Sequence, residues 1–440
     1  MSTVSPRRRQ EIVDALRRGT VPANGLDQLA VGLDRFQSAL GEELDVVAGG
    51  GPVVKAVRGE YGTGKTFFAR HLSESALRRG FAAAEVQISE TETPLHKLET
   101  VYRRITESLR TASVPPSAFR SVLDSWLFTL EDDALAADAA LDPSDAAALE
   151  TAVIKLLDER LASVSAKTPA FAQALRGYRS AVASGEAAVA DGLAAWLGGQ
   201  PHVAAAAKRA AGVKGDLDHF GAMAFLQGLL LVLRDAGHPG LLVVLDEVET
   251  LQRMRADVRD KALNALRQLM DEIDAGRFPG LYLVLTGTPA FFEGPSGVPR
   301  LPPLAQRLAT DFTTDARFDN PRAVQIRLPG FSQDSLVEVG GRVRDLYAAG
   351  SSGAERICSV VDDAYLAELS AAVAGGLGGR VGIAPRLFLK KLVGDVLDRV
   401  DQFPDFDPRQ HYSLTLSRDD MTDVERNASA RTADDISLDL

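Results

Sequence analysis

Arg58-Gly59-Glu60-Tyr61-Gly62-Thr63-Gly64-Lys65-Thr66-Phe67-Phe68 is the stretch from which the rest of this 440-residue chain can be read. Gly59–Thr66 satisfies the pattern G-x-x-x-x-G-K-[ST] in full. Glycines there let successive backbone N–H groups turn inward around an anion, and a helix starting near Lys65 adds its positive dipole end. The flanks agree with this. Pro52–Val57 is an apolar run interrupted by Lys55 and predicts a strand, and Lys65–Arg79 predicts a helix stopped at Gly80. The nucleotide-binding set is therefore Gly59, Glu60, Tyr61, Gly62, Thr63, Gly64, Lys65, Thr66 and Phe67. Lys65 is expected to reach the β- and γ-phosphates of ATP, and the Thr66 hydroxyl to ligate Mg²⁺.

A second element lies far downstream. Leu241–Leu245 is a continuous apolar run that ends in Asp246-Glu247. A carboxylate at such a strand end can hold the Mg²⁺ water shell, and its neighbour can act as general base on the attacking water. Having both acids argues for hydrolysis by a P-loop protein of the additional-strand class, where an extra strand separates the P-loop strand from the acidic one. The next strand, Leu281–Leu285, ends at Thr286-Gly287-Thr288. Thr286 or Thr288 is placed to read the γ-phosphate or orient water, or else to cap the following turn. Three arginines are candidates for phosphate contact: Arg307 as a finger toward a neighbouring subunit, Arg322 as a weaker alternative, and Arg386 from a C-terminal helix. For each of them a surface salt bridge is the competing explanation.

Between these motifs the chain alternates strand and helix. Phe81–Ser89 and Val324–Leu328 read as further strands, and Leu95–Leu109 as a helix. Near-continuous apolar strands separated by helices predict an α/β fold, a parallel sheet sandwiched by helices. Residues 112–236 differ: they are rich in Ala and Leu and read as a helical insertion. Helices follow at 333–349, 361–373 and 384–400, then a short extended piece at Tyr412–Leu416. The resulting order is an N-terminal helical segment (1–50), the first half of the core (51–111), the insertion (112–236) and the second half of the core (237–330). A helical lid (331–402) and an acidic, partly mobile tail (403–440) complete it.

Composition narrows the function. The chain is 45% hydrophobic and 25% charged, ordinary for a globular protein large enough to bury a core without staples. A single cysteine, Cys358, excludes an intrachain disulfide, and six scattered histidines argue against a zinc site. The net charge of −11 lacks the broad basic field of most nucleic-acid binders. Local clusters at Arg7–Arg9 and at Arg253, Arg255, Arg259 and Lys261 are DNA-contact candidates, with solvated charge the simpler reading of each. Glu85, Glu90 and Glu92 read as surface acids. No apolar run approaches the ~20 residues needed to cross a bilayer, and no secretory signal is visible, so a cytoplasmic protein is expected.

The order P-loop, acidic strand, polar strand end, arginine and helical lid with Pro385-Arg386 resembles the AAA+ ATPases over roughly residues 20–400. More narrowly, several stretches look like the BrxD family, the ATP-binding proteins of bacteriophage-exclusion (BREX) defence loci. They are Arg18-Gly19-Thr20-Val21-Pro22, Val31-Gly32-Leu33-Asp34-Arg35, the P-loop, Glu85–His96 and Leu245-Asp246-Glu247-Val248-Glu249-Thr250-Leu251. That resemblance implies an ATPase of an anti-phage system, encoded beside a superfamily 2, Lhr-like helicase. On this reading the protein is expected to act on DNA as a homo-oligomer. The alternative is a nucleotide-dependent switch that controls docking of a partner protein.

Overall fold

The apolar runs become five short strands: β1 Val53–Arg58, β2 Ala82–Gln87, β3 Leu241–Asp246, β4 Leu281–Gly287 and β5 Gln325–Arg327. The protein is seen in a computed structural model that describes residues 4–162, 168–376 and 385–415. The strands form one sheet in the order β2-β3-β4-β1-β5. β2 and β3 pair in parallel with Ala82 opposite Leu241, and β3 and β4 with Leu241 opposite Leu281. β4 thus stands between the strand leading to the P-loop and the strand ending in Asp246. This is the additional-strand order that the paired acids predicted. β3 and β4 are buried along their whole length, as strands covered on both faces must be. The outer edge of β2 is closed by chain: Ala83 and Arg110 exchange two backbone hydrogen bonds of 2.9 Å.

Two compact units make up the chain. One comprises Met1–Leu40, Val57–Glu74 and Asp311–Leu440, and the other Gly41–Ala56 and Ser75–Thr310.

In the first unit the helix Pro6–Arg17 starts from Pro6 at its first position, with the Ser5 hydroxyl accepting from Arg8 N. It shares a core with helices from the other end of the sequence: Ile12, Val13 and Leu16 pack with Leu336, Val343, Leu366, Phe388 and Val396. A bidentate ion pair pins it, Arg17 Nε and Nη2 to Asp398 at 2.7 and 2.9 Å, and Tyr347 donates to the same carboxylate at 2.8 Å. The C-terminal helices are Gln333–Ala348, Ala354–Val360, Asp363–Gly376 and Pro385–Gln402, the last carrying a π-helical turn over Leu392–Leu397. After Pro404 the chain folds back. Arg399 lies against the rings of Phe406 and Tyr412, and Arg409 pairs with Asp362 at 2.6 Å. Tyr412–Thr415 form no strand, and Leu416 with the rest of the acidic tail lies outside the described residues.

In the second unit, residues 112–236 contain six helices among the described residues: Phe119–Ala137, Ala146–Arg160, Pro169–Ala183, Ala187–Leu197, Ala205–Ala210 and His219–Asp235. Phe225 anchors them to the helix Leu98–Ser108, its ring 5.0–5.9 Å from those of Phe171, Trp196 and Tyr102. Small residues serve close approach here. A Cβ on Gly177 would come within 2.5 Å of Ala211 Cβ, and one on Gly192 within 2.6 Å of Ala207 Cβ. Lys55, which interrupts the β1 pattern, is 1% exposed and pairs with Glu43 at 2.5 Å; the Tyr282 hydroxyl donates to the same carboxylate.

Candidate functional site

In the first unit, the loop between β1 and the helix Lys65–Arg78 is held by its own polar groups. Gly62 and Gly64 take φ of 79° and 89°, the left-handed region that favours glycine. Gly59 is required for a different reason: a Cβ there would meet Thr63 Oγ1 at 2.4 Å. The Thr63 hydroxyl donates to Glu60 O at 2.9 Å and so fixes the turn. Lys65 is folded inward, 7% exposed, with its ammonium donating to Gly59 O at 2.9 Å and Glu60 O at 3.3 Å. The Tyr61 ring lies 5.1 Å from the same ammonium. This cradle of small residues around a buried cation fits a polyphosphate.

Also in the first unit, Arg386 sits in the first turn of Pro385–Lys391 beside the Arg18-Gly19-Thr20 turn. A Cβ on Gly19 would lie 3.2 Å from its Nη1. Gly382–Ala384, which precede it, lie outside the described residues. Arg58, immediately before the loop, places its guanidinium 4.7 Å from the Phe312 ring, and Arg327 approaches that ring at 5.1 Å. Arg322 follows a turn in which Asn320 Oδ1 accepts its backbone N–H at 3.0 Å.

The second unit carries the acids. Asp246 is buried at the end of β3, and the Thr286 hydroxyl at the end of β4 donates to its Oδ1. Glu247 N donates to both Asp246 Oδ1 and Thr286 Oγ1 at 3.2 Å. Glu247 itself has φ 60° and ψ 42°, a left-handed conformation that non-glycine residues seldom adopt. Its carboxylate accepts from Gln87 Nε2 at 2.9 Å. Thr250 Oγ1 straps the following turn to Ile88 O at 3.2 Å and Glu247 O at 2.9 Å.

Of the two threonines, Thr286 touches the acids. Thr288 is buried at the start of Pro289–Glu293 and makes no side-chain capping bond there. Arg307 is turned onto its own chain: it pairs with Asp271 and lies 3.4 Å from Asp274. Gln87 was not singled out by sequence reasoning. A polar residue ending an apolar strand next to an acidic one was the available signal. Among the described residues no group of three or more His, Cys, Asp or Glu forms a metal cluster.

Strand order and loop together define a P-loop nucleotide-binding protein of the AAA+ type. The chain belongs to the family described as BREX system ATP-binding protein BrxC/D, which matches it over residues 4–416. Among proteins of curated function no match was found. One similar solved structure is the Aeropyrum pernix ORC2 protein in its ADPNP-ADP complexes. It shares 13% identity with a TM-score of 0.33, over 82% of this chain and 67% of that one. No described helix is long and apolar enough to cross a membrane.

Proposed function

We propose that this protein binds ATP with Mg²⁺ and hydrolyses it to ADP and phosphate. It does so as a homo-oligomeric AAA+ component of a cytoplasmic anti-phage system that acts on DNA with a helicase partner. The observation that carries hydrolysis, beyond binding, is Glu247. A strained backbone at a functional position persists only where the surroundings over-determine it. Here Asp246, Thr286 and Gln87 do so, and they aim one carboxylate in a fixed direction.

The roles follow from the chemistry of each group. The backbone N–H groups of Gly59–Thr66 and the Lys65 ammonium take the phosphates. Lys65 leaves the Gly59 and Glu60 carbonyls to do so. The Thr66 hydroxyl would ligate Mg²⁺, and the Asp246 carboxylate is of the type that holds Mg²⁺-bound water; the ion would neutralise phosphate charge. Glu247 orients a water and accepts its proton. Thr286 keeps the Asp246 carboxylate oriented through its hydroxyl. Arg386 adds a cation from the C-terminal helices, and Arg307 is a finger only if assembly frees it from Asp271 and Asp274.

The test is ATP turnover, with and without single- and double-stranded DNA, alongside mass by light scattering. Lys65→Ala should lose nucleotide binding. Glu247→Gln should bind ATP yet turn it over at least about a hundredfold more slowly. Equal turnover by Glu247→Gln and the parent would remove the base assignment. Slow, DNA-indifferent turnover at constant mass would favour the switch.

A further inference from the structure

In the second unit three helices meet around one apolar cavity: Leu98–Ser108, His219–Asp235 and Ala256–Asp274. Tyr102 of the first meets Phe225 of the second at 5.9 Å. Leu98, Val101 and Ile105 line a small apolar cavity of about 30 Å³ together with Ala222, Leu226 and Leu269 of the other two. His96 and Lys97 immediately precede the first helix, His219 and Phe220 open the second, and Lys261 lies in the second turn of the third.

The His96 imidazole has its pKa held below the ordinary value, first by burial and then by the charges of Lys97 and Lys261. His219 is near enough to act on it in the same sense. These groups therefore form one cluster.

Two properties mark the cluster. Many cations of this unit are closely paired, as with Arg176 and Asp158 at 2.5 Å or Arg277 and Glu272 at 2.6 Å, while Lys155, Arg209, Lys214 and Arg253 stand apart from one another in sequence without a side-chain partner among the described residues. The Lys97 and Lys261 side chains have no hydrogen-bond or ion-pair partner among the described residues. The neighbouring acids are mostly engaged. Asp218 caps its helix by accepting from Gly221 N at 2.7 Å, Asp260 is bound by Arg300, and Asp257 lies 3.4 Å from Arg255. Glu99 acts on His96 in the opposite sense and tempers the positive field. The second property is Phe220, 80% exposed, its ring edge-on to His219 at 5.5 Å. A lone exposed apolar residue is ordinary. An exposed ring among unpaired cations is the composition of a stacking platform beside a phosphate track.

We propose that this end of the unit binds single-stranded nucleic acid, with Lys97, Lys261 and His219 meeting phosphates and Phe220 offering its face to a base. A single strand fits better than a duplex. The cations are few, the chain is acidic overall, and a stacked base needs an unpaired partner. The inference rests on the reading that the protein acts on DNA.

Fluorescence anisotropy of a labelled oligothymidylate of about 20 nucleotides with the full chain tests it, titrated between about 50 and 200 mM salt. Lys97→Gln/Lys261→Gln should bind about tenfold more weakly. Its log–log salt slope should be shallower by about 1.4, since each phosphate that a lysine no longer neutralises lowers the slope by ~0.7. Phe220→Ala should also lose about tenfold, with Phe220→Trp retaining affinity. ATP-analogue binding equal to the parent shows that each variant is folded. If the parent binds DNA and the variants bind it equally well, this surface is wrong while the DNA reading stands. Binding of duplex alone would overturn the stacking assignment. A parent that binds neither form removes the DNA reading, and this inference with it.

Discussion

Replacing Lys55 by Met should destabilise the protein far more than a surface charge removal would. The Lys55 ammonium and the Glu43 carboxylate are 2.5 Å apart, with side chains 1% and 17% exposed. At an effective dielectric of about 20 their attraction is about 7 kcal/mol. Burying each ion costs several kcal/mol, so the intact pair contributes little net stability. Breaking it is different, because Glu43 is then left buried with only the Tyr282 hydroxyl as donor. The expected loss is about 3–5 kcal/mol. For a unit of about 250 residues this lowers Tm by roughly 6–20 °C. The triple variant Lys55→Met/Glu43→Leu/Tyr282→Phe removes all three polar groups together and should recover most of that loss. Urea and thermal melts of the parent, single and triple variants give the comparison. A single variant within about 0.5 kcal/mol of the parent, or a triple no better than the single, would refute the reasoning.

Gly59→Ala should abolish ATP-analogue binding while leaving far-UV circular dichroism intact, because its Cβ would overlap Thr63 Oγ1. Retained micromolar binding would show that the loop gives way. Thr286→Val removes the donor to Asp246 without opening a cavity, and should cost about 1.5–3 kcal/mol together with most turnover. An unchanged melting curve would dissociate Thr286 from the acids. Alkali should unfold the protein. Burial, the leading cause in each case, raises Tyr102, Tyr178, Tyr282, Tyr347, Tyr365 and Tyr412 above the ordinary phenol value of 10.0, Tyr365 to about 12. Above pH ~10 the unfolded chain has lost phenol protons that the folded one retains, so stability declines as pH rises further. Tyrosinate absorbance should therefore appear together with loss of circular dichroism; free titration near pH 10 in a folded protein would contradict it.

The strands and the P-loop were legible because their signals are local: a glycine pattern, apolar runs, and an acid pair at a strand end. The strand order was also legible, since an Asp-Glu pair after an apolar strand carries a class expectation that β4 then fulfils. What escaped the reading depends on partners distant in the sequence. Lys55 looked like an interruption of a strand until Glu43 and Tyr282 were placed beside it. For Arg307 a finger and a surface salt bridge were both open, and nothing in its own segment announces Asp271 and Asp274 as the partners. Gln87 meets Glu247 across 160 residues of sequence. The cations gathered around His96 come from the starts of three helices that only packing brings together.

The bond between Arg17 and Asp398 spans 381 positions of chain. Expressed as time, that separation is a delay. At ~5–20 residues per second, a ribosome completes the partner of the first helix roughly 20 to 75 s after the helix itself has emerged. During that interval Ile12, Val13 and Leu16 have no core to enter. The second unit, almost all of it between Ser75 and Thr310, can complete its packing first. The helix Pro6–Arg17 is thus made well before the helices that house it, and its apolar face waits on the far end of the sequence.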